Sequence, residues 1–305
     1  MDVVTGSFGY IGKYITRQLL AGGREVRTIT THPAKPNPFG NQVQAFSYNF
    51  TDPAALVSSL AGAETLFNTY WIRFEYAGQT YAQALENTRL LFTCARQAGV
   101  RKIIHISVTN ASLDSDLPYY HGKAVQEKML AEAGVDYAIV RPTLVFGKED
   151  ILVNNIAWLI RKFPFFPIFG GGDYHLQPVF VEDLARIAVG QIKGESSVTL
   201  DAIGPEKYSF LEFIRLLADK LGRNTRLVHL PPRPGISLGK VIGTFLGDVL
   251  LTENELRGLM EEYLTSTQVP NGTTRFSTWL EENKTTIGSV YSSEIGRHFK
   301  WRPDG

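Results

Sequence analysis

The sequence predicts an α/β protein: a doubly wound parallel sheet covered by helices, followed by a smaller, mostly helical C-terminal lobe. Three observations lead there. Over about the first two hundred residues, short apolar runs of β character alternate with longer stretches of helical period. A glycine turn follows the first of those runs directly, with Gly6, Gly9 and Gly12 at three-residue steps. Composition is that of a globular chain, 44% hydrophobic and 20% charged over 305 residues, enough for one large domain or two smaller ones. No internal repeat or low-complexity tract interrupts the pattern.

Taken in order, strands are expected at residues 3–5, 25–30, 44–48, 65–68, 102–107, 137–140 and 198–202. The first helix carries Ile11, Ile15 and Leu19 on one face and stops at Gly22-Gly23. Another runs over residues 79–98 and is ended by Gly99. A third follows Asp116, read as its N-cap, with Pro118 in the first turn and Gly134 as the stop. Residues 148–174 are aromatic and rich in Pro and Gly. From Gly204 onward the chain reads as helical, with a joint at Pro231-Pro232-Arg233-Pro234. The expected division is residues 1–147 plus 176–203 for the sheet domain and 148–175 plus 204–305 for the second lobe.

Charge and composition exclude several function classes. Thirty-one Lys and Arg against thirty Asp and Glu leave a net charge of +1, so no global field attracts nucleic acid or an anionic bilayer. The single cysteine, Cys94, forms no intramolecular disulfide and suits a reducing cytoplasm. The six histidines (His32, His105, His121, His175, His229 and His298) show no pair at metal-ligand spacing, so no metal is expected. Neither a leader pattern nor an apolar run of about 20 residues is present. The nearest, residues 236–251, is broken by Lys240 and Asp248. A cytoplasmic protein acting on a small molecule is expected. Residues 236–251 read as packed on their own domain, with a lid, an oligomer face or a membrane-surface helix as the alternatives.

The glycine turn carries the first functional signal. A tight strand-to-helix turn brings backbone close to a pyrophosphate, at a helix N-terminus whose amides and partial positive charge favour an anion. Gly6, Ser7, Phe8, Gly9, Tyr10, Ile11 and Gly12 are therefore candidate cofactor contacts. Tyr119 and Lys123 carry the second. Four apart on an expected helix, they share a face and can reach one ligand. A phenol of pKa near 10 needs a shift of roughly 3 units, about 4 kcal/mol, to serve as acid or base near neutrality.

With Thr5 before it, the Gly-x-x-Gly-x-x-Gly turn resembles the short-chain dehydrogenase/reductase superfamily. Asn87, Ile106-Ser107, Tyr119-x-x-x-Lys123 with Glu127, Arg141-Pro142 through Phe146-Gly147, and residues 178–185 follow in the order of its extended and atypical branches. Residues 106–111 and 169–173 look most like the atypical group. That group holds the accessory NAD(P)H-binding subunit of respiratory complex I, nitrogen-metabolite-repression regulators and true reductases. The resemblance implies a Rossmann-type domain and a substrate-binding lobe. Tyr119 is implied as acid/base, and Lys123 as its partner and the holder of the nicotinamide ribose. A third hydroxyl is implied at Ser107 or Thr109, the extended pattern pointing to Thr109. Asn87, at the front of its helix, is implied to brace the helix or to order a water, and Asp183 to make a structural hydrogen bond.

The cofactor side is implied residue by residue. No acidic residue stands at Thr30-Thr31-His32, where a carboxylate would grip the ribose diol of NAD, and Thr30, His32 and Lys35 can surround a 2′-phosphate. NADP is accordingly favoured over NAD, with a solvated loop that tolerates either cofactor as the competing reading. Asp52 falls in the adenine-side segment and also suits a helix N-cap before Pro53. Asn68, Thr69 and Tyr70 fall on the wall beside the cofactor, and Pro142 and Val145 in a later lining segment. Trp71, Thr109 and Phe146 are the substrate-side candidates, with plain packing the competing reading for Tyr70 and Trp71. The expected activity is hydride transfer to or from a small carbonyl or alcohol. The alternatives are an NAD(P)H-binding sensor or accessory subunit without catalysis, and a sugar-nucleotide epimerase or dehydratase.

Overall fold

The computed structural model describes residues 1–231, 247–249 and 252–298. Most of residues 236–251, and of the Pro-rich joint before them, lies outside the described residues. The chain forms two compact units, Met1–Pro142 with Val181–Ala202, and Thr143–Phe180 with Ile203–Gly305.

Seven parallel strands build the first unit: β1 (Asp2–Thr5), β2 (Val26–Thr30), β3 (Val43–Ser47), β4 (Thr65–Asn68), β5 (Lys102–Ile106), β6 (Asp136–Pro142) and β11 (Val198–Ala202). Their order across the sheet is β11-β6-β5-β4-β1-β2-β3. This is the doubly wound Rossmann arrangement. β1, β4 and β5 are buried along their whole length, which is why they read as short unbroken runs rather than alternating ones. The connecting helices include α1 (Tyr10–Ala21), α2 (Pro53–Leu60), α3 (Tyr81–Gln97), α4 (Pro118–Ala131) and α6 (Val181–Gly190). One core joins the sheet to α2, α3 and α4, with Val3, Ile29, Leu66 and Ile103 from the sheet and Leu56, Leu91, Phe92 and Leu130 from the helices. The strand order reverses between β1 and β4, so the crevice at their C-terminal ends is where a ligand of such a sheet belongs.

Two local expectations change. The N-cap of α4 is Leu117, not Asp116, and it makes no side-chain cap bond. Pro118 opens the helix with φ already set and no N–H of its own to satisfy. Asn87 stands two turns into α3 rather than at its head.

The second unit has its own aromatic core. β7 (Leu144–Phe146) pairs in parallel with β10 (Pro178–Phe180), β8 (Phe165–Phe169) with β13 (Arg226–Leu230), and β9 (His175–Leu176) runs antiparallel to β12 (Tyr208–Ser209). Helices α5 (Leu152–Lys162), α7 (Phe210–Lys220) and α9 (Phe276–Asn283) pack around Phe146, Phe213, Phe276 and Trp279. A capping box between Ser209 and Glu212 starts α7. The chain therefore divides at residues 142 and 180, not at 147 and 175, because residues 144–146 pair with 178–180 inside this unit.

Candidate dinucleotide and catalytic site

At the end of β1 the chain turns through Gly6 at φ +70°, a conformation that favours glycine, and the Gly9 N–H closes on the Gly6 carbonyl at 2.8 Å. A Cβ on Gly12 would stand 2.3 Å from that same carbonyl oxygen. Glycine at the third position thus lets α1 sit directly on the turn. Lys13 is the first α1 residue whose N–H reaches back to Gly9, so the amides of Ile11 and Gly12 precede the first helical acceptor and head a positive helix end. Across the crevice, Thr69 clasps β1 on both sides: its N–H donates to Thr5 Oγ1 at 2.6 Å and its hydroxyl to the Thr5 carbonyl at 2.5 Å.

The catalytic candidates lie on α4. Tyr119 is half-buried in its first turn, and Lys123, one turn on, is 3% exposed. Lys123 Nζ donates to the carbonyl of Ile106 at 2.8 Å, at the C-terminal end of β5 and thus at the same end of the sheet as the glycine turn. Burial holds its ammonium down to about pKa 7, partly opposed by the attraction of Glu127. Ser107 donates to Glu127 at 2.5 Å, and Glu127 is gripped by Arg141 through Nε at 2.8 Å and through Nη2. That carboxylate in turn raises the Arg141 pKa. The Thr109 hydroxyl is fully buried and donates to the Pro142 carbonyl at 3.3 Å. Both candidates for the third hydroxyl therefore spend a donor inside the protein.

Residues 6–152 match the model of a family described as NAD(P)H-binding. That segment holds the glycine turn, the crevice and the Tyr-Lys pair. The chain is similar to the mitochondrial NADH dehydrogenase [ubiquinone] 1 alpha subcomplex subunit 9 of Arabidopsis thaliana, 26% identical over 75% of this chain and 60% of that protein. Its Rattus norvegicus counterpart is 23% identical over 88% of this chain and 73% of its own length. The chain spans less than two thirds of the Arabidopsis and Dictyostelium discoideum relatives it matches. Among solved structures, the NADPH-dependent quinone oxidoreductase of Escherichia coli superposes with a TM-score of 0.73 at 22% identity, over 93% of this chain and 99% of that one. The triphenylmethane reductase of Citrobacter sp. does so with 0.74 at 16% identity, over 93% and 100%. At these identities the likeness is one of fold.

Within the first unit, the expected contacts separate into those facing the crevice end of the sheet and those turned inward. Gly6, Gly9, Ile11, Gly12 and Thr69 form the turn and its opposite wall. Phe8 is buried within the turn and Tyr10 begins α1. Ser7 is a correction: its N–H donates to Thr28 Oγ1 at 3.0 Å, its hydroxyl accepts from Thr16 at 2.7 Å, and it is fully buried. Asn68 is another, since its side chain accepts from Thr5 and from the Tyr70 N–H and donates to His105 Nδ1. It braces β1, β4 and β5 rather than presenting an amide to a ligand. Tyr70 stacks among Tyr48 and Phe50 and receives Asn87 Nδ2 on its hydroxyl, with burial raising its pKa. Pro142 is buried beneath Thr109, and Val145 and Phe146 belong to the second unit. Phe146 is fully buried in that unit's core, so it is a packing residue and not a substrate contact.

Beyond β2, Thr30 accepts from the His32 N–H at 3.2 Å, and the Lys35 N–H closes on the His32 carbonyl at 3.0 Å. The three expected phosphate-side residues thus form one short turn. Burial lowers the His32 pKa, and the charge of Lys35 lowers it further. Asp52 caps α2 through the Ala55 N–H at 3.1 Å. Gly122, between the catalytic pair, escaped sequence reasoning; its signal was a glycine inside a helix, where it costs about 1 kcal/mol relative to Ala and so marks a close approach. Among the described residues, no group of three His, Cys, Asp or Glu is placed to hold a metal, and no helix is long and apolar enough to cross a membrane.

Proposed function

We propose that the protein is an NAD(P)H-dependent oxidoreductase acting on a small carbonyl or alcohol, with Tyr119 as acid/base and NADP as the preferred cofactor. The observation that carries this is the Tyr119–Lys123 pair on α4, with Lys123 anchored at the C-terminal end of β5 and the glycine turn at the same end of the sheet. The fit to a dinucleotide rests on the turn itself, where the missing Cβ of Gly12 brings the head of α1 onto Gly6. A bound nicotinamide supplies or accepts the hydride. Tyr119 gives its phenolic proton to the carbonyl oxygen in the reducing direction and takes it from the alcohol in the other. Lys123, held in a buried site, places positive charge beside that phenol when protonated, which favours the phenolate. Thr30, His32 and Lys35 supply the surroundings for a 2′-phosphate.

A second reading, a protein that holds NAD(P)H without turnover, is favoured by one observation. Ser107 and Thr109 donate to Glu127 and Pro142, so neither spends its proton on a substrate oxygen. The similarity to a subunit of NADH dehydrogenase agrees with it. Titration with NADPH and NADH, on wild type and Tyr119→Phe, separates the two. The enzyme reading expects equal binding by both proteins and turnover of a carbonyl panel by wild type alone. Tight binding with no turnover by either favours the holding protein. No binding by wild type below about millimolar, weaker than roughly −4 kcal/mol, overturns both.

A further inference from the structure

Trp71 lies in the irregular segment between β4 and α3, and its indole is seated on α4. Tyr81 stacks on it at 5.4 Å, Tyr119 meets it edge-on at 6.4 Å, and Lys123 Nζ lies over the ring 5.4 Å from its centroid. The seat is Gly122: a Cβ there would stand 2.6 Å from both Cη2 and Cζ2 of the indole. Positions 119, 122 and 123 share one helix face, so the ring covers the face from which the catalytic pair projects. Beneath it, the Lys123 ammonium has three protons to donate and one acceptor, the Ile106 carbonyl. The indole Nε1, also buried, has no hydrogen-bond partner among the described residues. Two neighbouring donors short of acceptors mark a place for a ligand rich in hydroxyl oxygens. A substrate stacked on Trp71 fits less well, because the ring already carries Tyr81 and the ammonium.

We propose that Trp71 is the positioning residue that controls access to Lys123: the nicotinamide-side ribose of a dinucleotide engages Lys123 only when the indole leaves its seat on Gly122. This rests on the dinucleotide reading above. Opening then limits entry, and the apparent affinity is reduced by the fraction of molecules in which the seat is vacated. Either deleting the ring or expelling it removes that penalty. Gly122→Ala expels it with an otherwise intact side chain, and the obstructing atoms are the far end of a single indole. Alanine also favours the helix.

The test is NADPH binding to wild type, Trp71→Ala and Gly122→Ala, followed by the fluorescence of the cofactor at equilibrium and in stopped flow. The expected result is a Kd about tenfold lower in both variants, corresponding to a vacated fraction of about one tenth in wild type. Observed rates level off with NADPH concentration in wild type and rise linearly in the variants. Binding by the variants but not by wild type also supports the proposal. Equal or weaker binding by both variants makes Trp71 a fixed wall and overturns the proposal while leaving the dinucleotide reading standing. Absence of binding by all three proteins overturns the dinucleotide reading and this inference together.

Discussion

At the scale of single residues, Lys123 is the group whose charge matters most. Its pKa falls from the ordinary lysine value of 10.5 to about 7 because the folded chain removes it from water. Below about pH 7 the lysine is protonated in both folded and unfolded protein. Between about 7 and 10.5 the unfolded chain holds a proton that the folded one does not, so stability rises with pH across that window. Lys123→Met removes this dependence. Urea unfolding of both proteins at several pH values should show the variant's advantage largest near pH 6 and shrinking steadily toward pH 10. A gap independent of pH would mean that Lys123 is not buried as a neutral-leaning base. The neighbouring Ser107, Glu127 and Arg141 were visible in the sequence as a spaced motif, but their mutual bonding was not. Spacing places residues on one face of a helix, whereas a hydroxyl's partner depends on which strand the tertiary fold sets beside it.

At the scale of elements, the strand–turn–helix unit of β1 and α1 is held by close backbone contact as well as by the Thr16–Ser7 side-chain bond. Gly12→Ala puts a methyl 2.3 Å from the Gly6 carbonyl, and backbone, unlike a side-chain tip, has to move as a whole. The expected outcome is a loss of about 1 to 3 kcal/mol in stability and a dinucleotide affinity weakened at least about tenfold. Gly190→Ala, at the end of α6 where nothing lies within 4 Å of the added carbon, is the control and should leave the affinity unchanged without lowering stability. Calorimetric titration and thermal melts read both quantities. This unit was fully legible, because apolar period, glycine spacing and the Gly22 stop all lie within a short stretch of chain. The start of α4 was less so, since Asp116 and Leu117 are neighbours before Pro118 and either can stand at the cap.

At the scale of the whole molecule, a ligand that binds only the folded protein stabilises all of it. Saturation at about one hundred times Kd adds roughly 2.7 kcal/mol. NADPH should therefore raise the unfolding midpoint more than NADH at equal concentration. The double variant His32→Ala with Lys35→Ala should remove the difference, because the two side chains proposed to meet the extra phosphate are gone. An equal shift by both cofactors in wild type would instead make the turn after β2 indifferent to the 2′-phosphate. Burial lowers the His32 pKa and the charge of Lys35 lowers it further, and an anion beside the two opposes the second effect.

The sequence by itself determined the seven strands of the first sheet, the parallel winding, the glycine turn and the spacing of Tyr119 with Lys123. Each is written in local period or in residues a few positions apart, which constrain backbone and helix face directly. Tertiary structure alone decided that Ser7 and Asn68 turn inward, that Ser107 gives its proton to Glu127, and that Phe146 joins the core of the second unit. It also brought Trp71 onto Gly122, fifty-one positions away in the chain. These depend on which elements become neighbours across the sheet. Burial and hydrogen bonding between distant segments set that choice, and no local pattern encodes it.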